Sequence, residues 1–190
     1  MFEIVKNSKQ QKAFQQTWEH ICEKQDWYND PYARNGVRYN LLHIERKVIF
    51  SKKKVIGTIE FLPYDPLNPQ STVEGPSKYE FSKLEKVKLH QDRTWEIDKL
   101  CLNEAYQRKG NFPLFIHIFY DHIQKHNPKY YIGLMEKKFF RMVRIIFGIG
   151  LEQPGDELCG STTSLIPVIF HIEKLMEDKE KVEHFLRMVK

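Results

Sequence analysis

Two acidic residues stand in a stretch that has the pattern of a β-strand. Glu96 and Asp98 lie two positions apart within 95–102, where strand-forming residues predominate. Strand alternation predicts that both carboxylates lie on one face of this strand. A carboxylate so placed can accept a proton, directly or through water. The alternative for either acid is an ion pair with Lys99 or with a cation on a neighbouring strand.

A short basic turn follows this strand and leads into a helix. Gln107, Arg108 and Lys109 precede Gly110, and Asn111 is suited to cap the helix that we predict from there. The first N–H groups of a helix have no internal partners, and the helix dipole is positive at that end. Because two cations and a glycine stand beside these groups, the turn is suited to hold an anion such as a pyrophosphate. The alternative is an ordinary basic surface turn.

The elements that must position these residues form a strand–helix–strand unit. The helix that begins at Asn111 accommodates Pro113 in its first turn. Its apolar residues recur at helical spacing, at Phe112, Phe115, Ile116, Phe119 and Ile123. A second strand is predicted at 130–135, after the break at Asn127-Pro128. Strand, crossover helix and strand in this order predict a parallel pair with a right-handed connection.

Further strands and helices are predicted around this unit. On the N-terminal side we expect a strand at 2–5, a helix opened by the capping box Ser8-x-x-Gln11, and strands at 37–45, 47–51 and 55–62 with Lys52-Lys53-Lys54 as a hairpin turn. On the C-terminal side we expect a helix at 137–147, a strand at 164–172 and a helix at 173–190. The fold class is therefore mixed α/β, with one domain over 1–190.

Two connecting segments are candidates for a role beside the central unit. Residues 25–40 are polar, aromatic and dense in turn-forming residues, so they could fold over a substrate or be an ordinary loop with its aromatic rings packed inward. Residues 63–91 make a long connection for a compact domain, and we expect them to carry a short helix or strand.

Composition narrows the classes of function. The chain has 190 residues, 41% of them hydrophobic and 29% charged, which is typical of a soluble globular protein. The net charge is +5, but its cations are dispersed among acids, so we expect no nucleic-acid partner; a basic balance serves a polyanionic cofactor equally well. Three widely spaced cysteines and the lack of a long apolar stretch predict a reduced, cytoplasmic protein with no membrane segment.

The basic turn carries a family resemblance. Its residues Gln107-Arg108-Lys109-Gly110-Asn111-Phe112 resemble the Q/R-x-x-G-x-G/A signature of the GNAT superfamily of N-acetyltransferases, although Phe112 stands where the signature has a small residue. The resemblance implies a GNAT-like mixed central sheet with flanking helices, acetyl-CoA or another acyl-CoA as co-substrate, and a turn that binds the pyrophosphate of coenzyme A. The six cofactor-binding candidates in the turn are Gln107, Arg108, Lys109, Gly110, Asn111 and Phe112.

The same resemblance gives roles to the strand before the turn. Glu96 is the first candidate for the base that deprotonates the amine, and Asp98 is the second. Backbone N–H groups near Leu100 and Leu102 would face the acyl carbonyl, because an irregularity in the strand leaves them unpaired. Many members of the superfamily protonate the leaving thiolate with a tyrosine in the helix after the second parallel strand. The corresponding stretch of this chain, 137–147, contains no tyrosine.

A second resemblance concerns the acyl-homoserine-lactone synthases and the related N-acyl amino acid synthases. The stretch 95–102 is similar to their E-x-S-R-F/L-x-V strand, with Lys99 in place of the arginine, and 140–148 is similar to their R-x-x-R-x-x-G helix. This match again favours Glu96 as the base. It leaves open whether the acyl group is short or long.

Three functions remain open at this stage. The first is an N-acyltransferase that moves an acyl group, with acetyl favoured, from coenzyme A to a small-molecule or peptide amine. The second is a long-chain acyl-homoserine-lactone or N-acyl amino acid synthase, and the third is a non-catalytic module that binds coenzyme A or a protein. We predict no metal site, because His117, Asp121 and His122 lack the H-E-x-x-H spacing and are better explained as a solvated helix face. Cys101 is predicted to be a core residue and not a nucleophile.

Overall fold

The fold is a mixed α/β arrangement built around one sheet. A computed structural model describes residues 1–46, 51–159 and 164–188. The described strands are β1 (Phe2–Ile4), β2 (Val37–Arg46), β3 (Ser51–Pro63), β4 (Thr94–Leu102), β5 (Tyr130–Glu136), β6 (Leu151–Glu152), β7 (Leu158–Cys159) and β8 (Ser164–His171). The described helices are α1 (Ser8–Gln25), α2 (Glu85–Leu89), α3 (Phe112–His126), α4 (Lys137–Phe147), α5 (Ile172–Glu177) and α6 (Lys179–Arg187).

The sheet has the strand order β1-β2-β3-β4-β5-β8-β6, and β7 also pairs with β8. β4 and β5 pair in parallel, with α3 between them in the sequence, whereas β2 pairs antiparallel with β1 and β3, and β8 with β5, β6 and β7. The predicted mixed sheet with a central strand–helix–strand unit and flanking helices is confirmed.

The chain divides into two compact units, which we describe one at a time. Unit 1 comprises Met1–Phe61, Asp98–Lys125 and His184–Lys190, and unit 2 comprises Leu62–Ile97 and His126–Glu183. The boundaries between them in the sequence follow Phe61, Ile97, Lys125 and Glu183, and the second of these falls inside β4. A single acyltransferase-like domain over 1–190 stays a prediction.

In unit 1, helix α1 packs an apolar stripe inward. Its buried residues recur at helical spacing, at Phe14, Trp18, Ile21 and Cys22, as the sequence pattern predicts. The predicted cap is displaced by one position, because the side chain of Asn7, and not that of Ser8, accepts a hydrogen bond from the backbone of Gln10. Asparagine and serine cap equally well, so the pattern alone did not decide between the two neighbours.

The lysine run at 52–54 is part of a strand. It lies in β3, where Lys52, Lys53 and Lys54 pair with Glu45, Ile44 and His43 of β2, so the prediction of a hairpin turn there is wrong. All three lysines are exposed, and side chains that point to water leave the backbone free to continue the ladder. The strand predicted at 47–51 lies, except for Ser51, outside the described residues.

In unit 2, helix α4 has the predicted bounds, and Gly148 follows it in a left-handed conformation with φ of +57°. Phe140 and Val143 form its buried side. The long connection before β4 carries the short helix α2, as expected.

The final helix, however, is interrupted at Asp178 and forms α5 and α6. Over the described residues, no helix has the length and apolar character needed to cross a membrane.

Candidate active site

Strand β4 changes its phase at Lys99. The backbone of Lys99 has φ of +48°, in the left-handed region, and the alternation of buried residues shifts there by one position. Glu96 is therefore in phase with Lys99 and Cys101, which are buried, and not with Asp98. The predicted common face of Glu96 and Asp98 does not give them the same surroundings, because Glu96 is completely buried and Asp98, next to the irregular Lys99, is only half-buried.

Two neighbouring residues of β3 fit this irregular backbone within unit 1. The hydroxyl of Thr58 donates a hydrogen bond to the carbonyl oxygen of Lys99 over 2.8 Å and lies 3.0 Å from the Cys101 sulfur. At Gly57, a Cβ atom would stand 2.4 Å from the carbonyl oxygen of Cys101. Glycine is thus required for the close approach, and threonine satisfies a carbonyl at the irregular position.

A buried network of two cations and two carboxylates lies around Lys99. Its ammonium is 2.5 Å from a carboxylate oxygen of Asp98 and 3.3 Å from one of Glu60. The guanidinium of Arg38 is 2.7 Å from the other oxygen of Glu60. Asp98 therefore forms the ion pair with Lys99 that the sequence left open as an alternative to catalysis.

The charges of this network support one another. Burial alone would lower the pKa of Lys99, but the carboxylates of Asp98 and Glu60 outweigh it and raise that pKa above its usual value. Burial raises the pKa of Glu60, and the charges of Lys99 and Arg38 act against this rise. Lys99 consequently stays protonated at neutral pH and is a fixed positive charge, which makes it unsuited to act as a base.

The segment after α1 covers the network with aromatic and backbone groups. The ring of Tyr32 lies 5.3 Å from the Lys99 ammonium and 5.7 Å from the Arg38 guanidinium, both within the range of a cation–π contact. The carbonyl of Pro31 also accepts a hydrogen bond from Lys99, over 3.4 Å. Residues 25–40 had two interpretations, a segment folded over a substrate and a loop with its aromatic rings packed inward. The second applies to Trp27 and Tyr32, which pack on the core, but not to Tyr28, which is 78% exposed.

In unit 2, the carboxylate of Glu96 is completely buried and contacts a serine. The hydroxyl of Ser71 lies 2.9 Å and 3.0 Å from its two oxygens. Ser71 belongs to the long connection between β3 and β4 and is itself buried. Glu96 and Asp98 thus have different partners, a hydroxyl for the first and an ammonium for the second. A carboxylate that accepts a hydrogen bond from a hydroxyl can act as a base in its ionised form.

The basic turn has a backbone suited to anion binding. Arg108 and Gly110 have φ of +56° and +71°, and Lys109 between them is exposed, as both neighbours are. No heavy atom lies within 4 Å of the position that a Cβ of Gly110 would take, so the backbone there is open to a ligand. Left-handed residues before a helix start turn successive N–H groups toward one concave side.

Side chains at both ends of the turn fix its shape. The amide of Gln107 donates to the carbonyl of Leu102 over 2.9 Å, and the amide of Asn111 donates to the carbonyl of Tyr106 over 2.8 Å. Helix α3 begins at Phe112, one position later than predicted, so that Asn111 directly precedes it. The turn therefore presents Arg108, Lys109 and Gly110, while Gln107 and Asn111 support it.

Comparisons with known proteins bear on the fold. No family model and no curated protein matches the sequence. Among solved structures, FeeM, an N-acyl amino acid synthase from uncultured soil microbes, aligns with a TM-score of 0.59 and 12% identity over 93% of each chain. MesI, a CoA-dependent acyl-homoserine lactone synthase, aligns at 0.58 with 12% identity over 98% of this chain and 94% of its own. The spermidine/spermine N-acetyltransferase SpeG from Vibrio cholerae, in mutant forms, aligns at 0.57 with 11% identity over 94% and 97%.

The chain has the GNAT fold. Both resemblances drawn from the sequence, to the N-acetyltransferases and to the acyl-homoserine-lactone and N-acyl amino acid synthases, agree with these structures. In the GNAT fold of this chain, the parallel pairing of β4 with β5 comprises Thr94–Glu96 and Tyr130–Ile132, within unit 2. The register contains no residue of β4 after Glu96, which is three positions before the irregular Lys99.

Three residues with contacts near β4 were not predicted from the sequence. Glu60 is the only acid in the otherwise uncharged run 55–62 of β3, and an acid in such a run signals a buried charge that needs a partner. Arg38 pairs with Glu60 across β2 and β3, so a correct hairpin register would have found it. Ser71 gave no signal, because its contact with Glu96 depends on the path of a long connection. Leu100 and Leu102 are half-buried, and their role at an acyl carbonyl stays a prediction.

Proposed function

We propose that this protein is an acyl-CoA-dependent N-acyltransferase of the GNAT type, with acetyl as the favoured acyl group and a small-molecule or peptide amine as acceptor. The observation that carries the proposal is the turn before α3, in which Arg108 and Gly110 both have left-handed backbones next to Lys109. An arginine rarely adopts this conformation, so the surrounding structure must impose it. In a GNAT fold, such a turn supplies the N–H groups and the positive charge that a pyrophosphate needs.

The residues of the chain fit coenzyme A at this turn. Arg108 and Lys109 are exposed and would pair with the two phosphates, while the open side of Gly110 admits them to the backbone. Among the residues that the structure describes, neither cation forms an ion pair with a carboxylate that would compete with a phosphate. When bound, the acyl thioester supplies the activated carbonyl for the transfer.

The transfer itself requires few groups from the chain. The amine nitrogen forms a bond to the acyl carbon as the carbon–sulfur bond breaks, the amine loses a proton, and the thiolate gains one. Glu96 is assigned the role of proton acceptor; its burial means that the proton reaches it through a hydrogen-bonded neighbour or water. Asp98 is assigned the lesser role of holding Lys99, and the N–H groups near Leu100 and Leu102 would stabilise the oxyanion.

Two alternatives are kept because each has its own observation. A long-chain acyl-homoserine-lactone or N-acyl amino acid synthase is favoured by the strand 95–102, and FeeM and MesI share the fold. A non-catalytic module is favoured by the lack of a tyrosine in α4, where related enzymes protonate the thiolate. The protein is further proposed to be cytoplasmic, to act without a nucleic-acid or membrane partner, and to use no metal.

Ligand-induced stabilisation tests the proposal directly. A ligand that binds only the folded state raises the melting temperature, so we expect a shift with free coenzyme A and with acetyl-CoA. Arg108→Glu should weaken coenzyme A binding by at least about tenfold, since it removes one charge-assisted contact and adds a repulsive charge. Lys88→Glu makes the same change of charge on the exposed side of α2 and serves as the matched control. Equal affinity in both variants would refute the pyrophosphate site.

Further measurements test the length of the acyl chain, the catalytic role of Glu96 and the non-catalytic alternative. A clearly larger shift with a long-chain acyl-CoA than with acetyl-CoA would favour the synthase alternative. Glu96→Gln should lower turnover by roughly 10²–10⁴-fold while coenzyme A affinity stays near that of the native protein. Coenzyme A binding without acyl transfer to any amine in a broad panel would favour the non-catalytic module.

A further inference from the structure

The contact between Ser71 and Glu96 concerns the residue to which the proposed function assigns the proton. We propose that Ser71 is a positioning residue that fixes the carboxylate of Glu96 and keeps it ionised, an inference that rests on the proposed function. The Ser71 hydroxyl lies 2.9 Å and 3.0 Å from the two carboxylate oxygens, in a place where both residues are buried. A single donor between two acceptors suits a carboxylate better than a carboxylic acid.

The direction of this hydrogen bond follows from the other partners of the hydroxyl. The Ser71 oxygen accepts the backbone N–H of Val73 over 3.3 Å and that of Glu74 over 3.0 Å. With its lone pairs occupied by these two donors, the hydroxyl has its one proton left to give. The carboxylate of Glu96 is the acceptor that receives it, and hydrogen bonding to the charged form of an acid favours that form.

The connection that carries Ser71 is itself held in place. The ammonium of Lys78 donates to the carbonyl oxygen of Ser71. The carboxylate of Glu74 accepts the hydroxyl of Tyr64 over 2.8 Å and the hydroxyl of Ser82 over 2.6 Å. Ser71 is therefore presented to Glu96 by a segment that its own polar contacts make rigid, so that the orientation of the carboxylate is set before any ligand arrives.

Burial makes the serine hard to replace. Ser71 and Glu96 have relative exposures of 1% and 0%. Removal of the hydroxyl would leave a buried carboxylate without this donor, and a carboxylate without its donor takes up a proton more readily. The acid form of Glu96 cannot accept a proton from the amine, so the loss of the hydroxyl should appear as a change in the pH dependence of turnover.

The test is the pH–rate profile of acyl transfer in Ser71→Ala. We expect the acid limb of kcat to move to higher pH by about one unit, with the KM for acyl-CoA unchanged. Ser71→Thr keeps the hydroxyl and should restore the native profile. Ser77→Ala is the matched control, because it removes an exposed hydroxyl from the same connection. An unmoved acid limb in Ser71→Ala, or an equal movement in Ser77→Ala, would overturn the inference.

A second readout separates this inference from the proposed function. The ¹³C signal of the Glu96 carboxyl, assigned by its loss in Glu96→Gln, can be titrated in the protein without substrate. We expect its midpoint to rise in Ser71→Ala relative to the native protein and to Ser77→Ala. A native protein that transfers no acyl group would refute the proposed function while leaving this titration to decide the part played by Ser71, and coincident midpoints would refute Ser71 alone.

Discussion

Glu60 holds two cations, of which Lys99 is fully buried and Arg38 is 13% exposed, and its removal should be among the most damaging changes of a single residue in unit 1. Glu60→Ala leaves Arg38 and Lys99 without their shared carboxylate, at a site where the Lys99 side chain has no exposed surface. Loss of one partner of a buried pair costs about 3–5 kcal/mol, and we expect a loss of this size in the free energy of unfolding measured with urea.

A surface pair provides the comparison. Glu80 lies 2.6 Å from Lys83, and at least half of each side chain is exposed. Glu80→Ala therefore removes an ion pair of similar length that solvent already screens, and it should cost less than about 1 kcal/mol. If the two variants lost the same stability, the network around Lys99 would have no structural importance.

For individual residues, the sequence indicated which residue types are important but not the directions in which their side chains point. It indicated Glu96 and Asp98 as the acids of β4, and it offered Lys99 as a partner for either. Which of the two acids pairs with Lys99 depends on the left-handed backbone of Lys99 itself. A lysine in the sequence gives no indication that its φ is positive. Only a glycine or asparagine there would have indicated the irregularity in advance.

Among the elements, β3 and β4 fit together through a glycine. Gly57→Ala would place a Cβ 2.4 Å from the carbonyl oxygen of Cys101, and backbone on both sides leaves little room to adjust. We expect a loss of about 1–3 kcal/mol in the free energy of unfolding. Amide hydrogen exchange should show faster opening in β3 and β4.

Gly133 in β5 is a matched control for this change. A Cβ there would meet its nearest neighbours, Ile97 and Val168, at 3.7 Å, which is ordinary van der Waals contact. Gly133→Ala should leave stability within about 1 kcal/mol of the native value, because the added methyl has room and the unfolded chain loses entropy. Equal losses at both positions would show that the close approach at Gly57 has no special importance.

Elements whose apolar residues recur at a clear helical spacing could be predicted from the sequence. Elements with charged, exposed residues could not. Helix α4 was found with its exact bounds because its apolar residues recur every three to four positions and Gly148 ends it. The run of Lys52, Lys53 and Lys54 resembled a turn by composition alone, yet a strand can carry consecutive exposed lysines. The C-terminal helix is divided at Asp178, a residue that takes a non-helical conformation with ψ of 74°.

For the molecule as a whole, two buried cysteine thiols of raised pKa predict that the folded state loses stability at alkaline pH. Burial raises the pKa of the Cys101 thiol to about 11, and burial together with the nearby Cys101 raises that of Cys22 to about 12, from 9.0 in both cases. Between pH 9 and 11 the unfolded chain releases these protons while the folded chain keeps them. The unfolded state then binds fewer protons, so stability falls as pH rises.

Unfolding measured at intervals from pH 8 to 11 checks this expectation. The free energy of unfolding should fall by roughly 2–4 kcal/mol over that range. Cys101→Val should reduce the slope, whereas Cys159→Ser should not, because the Cys159 thiol is exposed. A flat profile in the native protein would show that neither buried thiol is linked to folding.

The mixed sheet could be predicted because its central unit has a local signature, a strand, a helix and a strand in sequence. Its full strand order, with β8 between β5 and β6, comes from contacts between distant parts of the chain that no local pattern records. The same reasoning explains why the sequence indicates a cofactor but not an acceptor. A pyrophosphate is recognised by a few consecutive residues, whereas an amine is recognised by side chains drawn from several elements.

The burial of Lys99 has a chemical consequence if the protein binds a reactive thioester, as we propose. Thioesters acylate neutral amines without any enzyme, so exposed lysines such as Lys109 are open to slow self-modification when acyl-CoA is abundant. Lys99 has no exposed side-chain surface, and its neighbours Asp98 and Glu60 keep it protonated. It is thus protected twice, by access and by charge, and its peptide provides an internal reference for spontaneous acylation in a digest of the native protein.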